Sequence, residues 1–409
     1  MRRVVVTGLG AITPLGNDVG SFFDALIAGR SGIRKLDEPW SDSSIPRIVA
    51  PIVQNLDSNF SKLKLISIDR VAQLSLLATR QAVVQASIAL VGEISERTGI
   101  FWGTGMGGAT ALETAYTDLF VKHTSRLRPT TIVAAMNNAA AGQIGIEFGI
   151  RGPSYTYSSA CSSSAVAIGE AFRAIRLGFV DVAIAGGGEA LLTQGVIKAW
   201  ESLQTLAKVN TEHPETSCRP FALDRSGFVL GEGAAALVME SELSAKTRGA
   251  KILAEIVGYG NTSDGTNLTQ PDVSGQARAM TQALDDAGLS PEQVDYLNAH
   301  GTGTKVGDIS ETSAIKRVYG EHAWRLPISA TKAMHGHLMG ATGAVEMVAT
   351  LEALRTHILP ATAHLFHPDP DCDLDYVSSG ARELSRVEVV MSNSFGFGGS
   401  NAVLVAKRY

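Results

Sequence analysis

A series of short β-prone stretches and helical-period segments begins at residue 4, and it begins again near residue 250. In the first pass, residues 4–6 form an apolar strand that Gly8 and Gly10 are expected to turn. Helical spacing follows at 19–28 and at 67–88, where Val71, Leu74, Leu77, Val83 and Ala86 share a face. A strand is expected at 99–103, a helix at 137–148 and a β-prone stretch at 155–160. The long helix after Cys161 has Ala165, Ile168, Phe172 and Ile175 on its apolar face and Gly178 as its stop. A strand at 180–185 closes the pass.

The second pass opens with a strand at 252–257 ending at Gly258 and Gly260. Helices at 275–287, 309–319 and 343–355 follow, with strands at 294–299 and 326–330 between them. A hairpin of 387–391 and 402–405 ends it. Strands alternating with helices predict α/β layers. The restart predicts two similar halves, 1–250 and 251–409. No low-complexity run or long linker separates them, so they should share one core.

Composition narrows the class. With 45% hydrophobic and 18% charged residues, a chain of 409 buries a large core, which excludes global disorder. Glycine is 42 of 409, about 10% against an average near 7%. There is no G-X-Y period, so this is not collagen. The glycines cluster beside apolar runs, where tight strand–helix turns would use them. A net charge of −5 argues against nucleic acid as the main partner. Cys161, Cys218 and Cys372 stand far apart with no C-x-x-C, as expected in a reducing cytoplasm. The first apolar run is broken at Gly8, too early for a secretory signal, and no stretch is predicted to span a membrane.

Several motifs carry chemistry. Residues 103–108 satisfy G-x-G-x-x-G after a strand, yet residues 120–130 are not the second strand with a terminal acid that dinucleotide binding needs. Close backbone packing is the plainer reading. No phosphate-binding P-loop motif is present. Cys161, in S-S-A-C-S-S-S-A, stands where a helix begins. Free N–H groups and the helix dipole there favour the thiolate and can hold an oxyanion. A buried structural cysteine fits the position equally well. Cys218 and Cys372 lie in polar, loop-like segments.

His300, in N-A-H-G-T-G-T, and His337, in K-A-M-H-G-H-L-M-G, both follow apolar strands. With Cys161 they form a set that could converge on one cleft. His335 and His337 make an H-x-H pair, thin support for a metal without a third ligand. Lys332 adds a cation nearby. Asp308 and Glu311 either pair with His300 or belong to an ordinary charged helix face.

Taken together, V-V-V-T-G-L-G-A-I-T-P-L-G, S-S-A-C-S-S-S-A, R-P-F-A-L-D-R-S-G-F-V-L-G-E-G-A, N-A-H-G-T-G-T-K-V-G-D-I-S-E, S-A-T-K-A-M-H-G-H-L-M-G-A-T-G-A-V-E and S-N-S-F-G-F-G-G-S-N-A-V-L-V span nearly the whole chain. In this order they resemble the β-ketoacyl-acyl-carrier-protein synthases, the elongating condensing enzymes of the thiolase superfamily. The resemblance implies a duplicated, five-layered αβαβα thiolase-like fold, usually dimeric.

It also implies roles. Cys161 matches the acylated nucleophile. His300 and His337 match the pair that drives decarboxylation of a malonyl thioester, and Lys332 the lysine supporting them, with Glu311 as its ion-pair partner. Phe397 matches a gating residue whose N–H, with that of Cys161, forms an oxyanion hole. Met106 matches the gate of the acyl pocket. Thr302 and Thr304 match contacts of the phosphopantetheine arm, and Phe395 is placed with the substrate. Asn298, Glu346 and Asn393 lie in segments that surround a structural monovalent cation in some relatives. Lys62, Lys64, Arg126 and Arg128 lie in segments like the family's dock for an acidic acyl-carrier protein.

No cofactor is implied beyond the carrier's own phosphopantetheine. The working unit is expected to be a homodimer, or a heterodimer with a chain-length-factor-like chain. A non-catalytic chain-length factor would lack the cysteine, and a degradative thiolase would carry a second catalytic cysteine where this chain has Ser394 and Phe395. Two departures touch the acyl site: C-S-S-S-A replaces the more usual C-A-T-G-A, and His335 stands where threonine is common. With I-K-A-W-E-S-L, they favour a pathway-specific synthase, such as a nodulation or polyene type.

Overall fold

The computed structural model describes residues 1–37 and 47–409. Ten strands form its main sheet: β1 (Val4–Ile12), β2 (Thr98–Gly103), β3 (Ser154–Tyr157), β4 (Val182–Glu189), β5 (Gly233–Ser241), β6 (Ala254–Ser263), β7 (Tyr296–Asn298), β8 (Ile328–Ser329), β9 (Val389–Gly396) and β10 (Ser400–Lys407). Their spatial order is β8-β7-β9-β10-β6-β1-β5-β4-β2-β3.

The order contains a duplication. From β1 outward, β5 and β4 join antiparallel, then β2 and β3 parallel. From β6 outward, β10 and β9 join antiparallel, then β7 and β8 parallel. The halves meet where β1 pairs antiparallel with β6. Even the irregularity repeats, since β1 shifts register between Val6 and Gly8 while β6 does so between Ile256 and Gly258.

Gly8 and Gly10 do not turn β1, and Gly258 and Gly260 do not end β6; both strands run straight through. The glycines serve close approach instead. A Cβ on Gly8 or Gly10 would lie 2.1 or 1.9 Å from the carbonyl oxygen of Ala82 or Ala78 on α1 (Arg70–Ala86). One on Gly258 or Gly260 would lie 2.2 or 1.9 Å from that of Ala283 or Ala279 on α5 (Val273–Ala287). Only a residue without a side chain lets each helix lie on its strand.

The layers follow. α1 and α2 (Ala139–Phe148) cover the outer face of the first half, and α5 and α6 (Lys305–Tyr319) that of the second. Between the halves lie α3 (Ser163–Arg176) and α7 (Thr342–Thr356). Ala165, Ile168, Phe172 and Ile175 are buried on α3 as their spacing predicts. Each large apolar side chain removed from water there contributes roughly 1.5–3 kcal/mol. In α7 every residue but Arg355 and Thr356 is buried, as a helix enclosed on all sides requires. Among the described residues, no helix is long and apolar enough to cross a membrane.

The parallel strands carry the candidate residues just beyond their C-terminal ends, where ligands gather in open α/β sheets. Met106 follows β2, Cys161 follows β3, His300 follows β7, and Lys332 and His337 follow β8. Cys218 and Cys372 are buried, as structural cysteines are.

Candidate active site

Cys161 sits in a single tight turn, Ala160–Ser162, that feeds α3. Ala160 is held at φ +52°, an uncommon conformation for a residue with a side chain. Its neighbours hold it there: Ser163 Oγ accepts from Ser159 N at 2.9 Å and donates to the Ala160 carbonyl at 2.6 Å. Ser162 Oγ donates to the Ser159 carbonyl at 2.8 Å and meets Ser400 Oγ at 3.0 Å. The serine-rich segment is therefore the scaffold of the turn.

The helix start was expected to favour the thiolate, but burial outweighs it. The thiol is pushed up to about 11 by loss of water, against the opposing pull of the Lys332 charge and of the Phe397 N–H. At neutral pH the resting thiol is protonated, and its thiolate fraction grows with pH. Alkylation of Cys161 by iodoacetamide should therefore accelerate about tenfold per pH unit from pH 7 past pH 9. A plateau below pH 8 would show that Lys332 and the N–H groups overcome burial.

The imidazoles face this sulfur. Cys161, His300 and His337 each place a donor atom within 4.8 Å of the others, and the two rings stand edge to face with centroids 5.6 Å apart. Both histidines are held well below the usual imidazole range, first by burial, then by the Lys332 charge. They are neutral at physiological pH. His337 Nδ1 accepts from Met339 N at 3.2 Å and lies 2.9 Å from Thr342 Oγ1. An accepting Nδ1 places the proton on Nε2, which is buried without a partner among the described residues. For His300, the Lys332 ammonium lies 3.4 Å from Nδ1, which likewise assigns the ring proton to Nε2.

Lys332 corrects one expectation. Its ion-pair partner is Glu346 on α7, at 2.7 Å with both side chains fully buried, and not Glu311. Its ammonium also donates to the His300 carbonyl. Glu311 on α6 instead clamps the loop after β7, accepting from His300 N and Gly301 N at 2.8 Å each and from Asn393 Nδ2 at 3.0 Å.

His335 stays out of the cleft. Its Nδ1 lies 2.7 Å from the Gly336 carbonyl and its Nε2 3.0 Å from Thr331 Oγ1, so both nitrogens are occupied, and burial brings it down to about 3. The H-x-H pair therefore does not act as a unit. Cys161, His300 and His337 could surround a metal by distance, but the Lys332 ammonium beside His300 raises the electrostatic cost of a second cation.

A cavity of about 630 Å³ opens from this cluster. Thr302, Thr304, Phe395 and Phe397 line it, with Trp200 and Phe228. The hydroxyls of Thr302 and Thr304 are 3.0 Å apart, and their loop is held by the buried Arg225, which donates to the Thr304 carbonyl at 3.1 Å. Met106 is outside this cavity, 48% exposed. Lys62, Arg126 and Arg128 are exposed, and Lys64 bonds Gln143 Oε1 at 2.5 Å. Of the three cation-site candidates, Glu346 pairs with Lys332 and Asn393 Nδ2 donates to Glu311; among the described residues, Glu346 Oε2 and Asn393 Oδ1 find no hydrogen-bond partner.

Glu189, Trp200 and Arg225 went unread as site residues. Glu189 ends β4 and accepts from Gly105 N at 2.6 Å, Gly340 N at 2.9 Å, Thr104 Oγ1 at 3.1 Å and Met106 N at 3.3 Å. It ties the G-x-G-x-x-G loop to the turn after His337, and burial raises its carboxyl to about 7. A lone acid in G-G-G-E at a strand end was the available signal.

A cysteine paired with two uncharged imidazoles, on two fused copies of one strand–helix unit, defines the thiolase-like condensing enzymes. The chain belongs to the beta-ketoacyl synthase family, whose N-terminal domain matches residues 1–245 and whose C-terminal domain matches residues 253–366. It is 45% identical over 407 residues to nodulation protein E of Rhizobium meliloti (strain 1021), covering 100% of this chain and 99% of that one. It is 40% identical over 411 residues to 3-oxoacyl-[acyl-carrier-protein] synthase 2 of Staphylococcus aureus (strain N315), with the same coverage. Among solved structures, the ishigamide ketosynthase/chain length factor superposes with a TM-score of 0.92 at 33% identity, over 100% of this chain and 99% of that one.

Proposed function

We propose that the protein joins an acyl group, carried as a thioester on Cys161, to malonyl-acyl-carrier protein with loss of CO2. The observation that carries this is the free Nε2 of His337 beside His300 and Cys161, within 4.8 Å of ligand-atom separation.

The first half is acyl transfer. The Cys161 sulfur attacks the carrier thioester, the carbonyl oxygen takes the negative charge, and the carrier thiol leaves with a proton. The N–H groups of Cys161 and Phe397 would hold that oxyanion. In the second half the malonyl C–C bond breaks, CO2 departs and its electron pair moves onto the thioester as an enolate. Two neutral Nε2–H donors stabilise the enolate oxygen without taking a proton. The enolate carbon attacks the acyl-Cys161 carbonyl, and collapse expels the Cys161 sulfur. No cofactor is required, because the imidazoles supply the donors. Burial, aided by the Lys332 charge, keeps them neutral, and Glu346 balances that charge. A monovalent cation on Glu346 Oε2 and Asn393 Oδ1, both hard oxygen ligands, would add charge balance only.

The partner is an acyl-carrier protein, met in the cytoplasm, whose arm would enter past Thr302 and Thr304. Lys62, Lys64, Arg126 and Arg128 are the proposed dock. Reversing Arg126 and Arg128 to glutamate should raise the KM for carrier protein severalfold with the fold intact; an unchanged KM would remove them from the dock. A second chain, a copy or a chain-length-factor-like relative, is proposed to cover the edge strand β3, where Tyr155 is 54% exposed. Met106, exposed in the single chain, is proposed to gate the acyl pocket once that chain is in place. A pathway-specific role fits the C-S-S-S-A and His335 departures. Mass spectrometry after mixing with acyl-carrier proteins of varied length and unsaturation tests the whole reading: one acyl group should add, on Cys161. An adduct elsewhere would overturn it.

A further inference from the structure

Trp200 stands on α4 (Gln194–Ser202) at the cavity wall. Its ring stacks on Phe397, with centroids 6.0 Å apart and planes inclined 28°. On another side it meets Phe228 edge-on at 5.4 Å, and Phe228 meets His337 edge-on at 5.3 Å. The indole thus links the gate to the wall behind a reacting imidazole.

The two partners differ in freedom. Helix α4 is tied down near both ends. Glu113 accepts from Thr193 Oγ1 at 2.5 Å and from Gly195 N at 3.0 Å. Glu201, beside Trp200, pairs with Arg47 and, at 3.2 Å, with Lys198. Phe397 lies in a glycine turn, with Gly398 at φ +83° and Gly399 at φ +74°. Swinging Phe397 away would break its stack on Trp200.

We propose that Trp200 is a positioning residue: its indole holds the Phe397 ring closed over the cleft and so shields the acyl-Cys161 thioester from water. This rests on the condensing function proposed above. An aromatic pair of this kind biases a two-state equilibrium roughly two- to tenfold.

The test follows the two fates of isolated acyl-enzyme. In hydrolysis, water adds to the thioester carbonyl, the carboxylic acid leaves and Cys161 regains its thiol. In condensation, malonyl-carrier protein takes the acyl group. Trp200→Ala should raise the ratio of hydrolysis to condensation roughly two- to tenfold. Trp200→Phe, which keeps a ring, should stay near wild type. Tryptophan fluorescence of the wild type should change on acylation, and this change should vanish in Trp200→Phe. A wild-type ratio in Trp200→Ala, a Trp200→Phe as leaky as Trp200→Ala, or fluorescence blind to acylation would each overturn the role. A wild type that forms no adduct on Cys161 would overturn the condensing function itself, and this role with it.

Discussion

Cys161→Ala is expected to lose condensation by about 10⁵–10⁶-fold, the scale seen when a lone nucleophile is removed, while malonyl-carrier protein continues to lose CO2. The split follows from geometry. The sulfur is needed to form the acyl thioester, but the donors for the enolate are the Nε2–H groups of His300 and His337, which do not pass through it. Folding should survive. Cys161 is buried in a small apolar cluster with Phe228, Leu230 and Met339, where alanine removes one sulfur and leaves the serine scaffold in place. Loss of one side-chain atom costs about 1 kcal/mol. The checks are product formation, CO2 release and thermal melting on one preparation. Condensation that persists in the variant would remove Cys161 from the chemistry.

His337→Ala is the second large effect, and it divides the halves the other way. The enolate would lose one of two preorganised donors, which costs about 10²–10³-fold in rate at comparable sites. Acylation uses the N–H groups of Cys161 and Phe397, so the acyl adduct on Cys161 should form at close to the wild-type rate. Because His337 is neutral and already held below its ordinary range, decarboxylation should show no loss of rate at pH 7–8 from imidazole ionisation. The sign is fixed by burial: protonation of either imidazole belongs below the ordinary value near 6.5, outside that window. Equal losses in acylation and decarboxylation would mean that His337 shapes the turn rather than the reaction.

These variants separate what the chain spells out from what folding adds. The apolar faces of α1, α3 and α5 were legible because each repeats at helical spacing over several turns. The junction residues Cys161, His300 and His337 were legible because each follows a β-prone run. Contacts between distant segments were not. The family resemblance suggested Glu311 as the partner of Lys332, yet α7 crosses between the halves and brings Glu346 against it. Glu311 was free to hold the His300 backbone instead. Glycine identity showed that Gly8, Gly10, Gly258 and Gly260 mattered, but a turn and a close approach use glycine alike.

The chain by itself determined an α/β duplication, the residue types at the strand ends and, through its ordered motifs, the family to which they belong. Those are local properties of periodicity, flexibility and chemical identity. The tertiary structure decided which charge neutralises Lys332, that burial raises the Cys161 thiol, which imidazole nitrogen is free to donate, and that Trp200 rests on Phe397. Each of these depends on which groups are brought into contact and on how much water they keep, and both are settled only once the two halves have packed around α3 and α7.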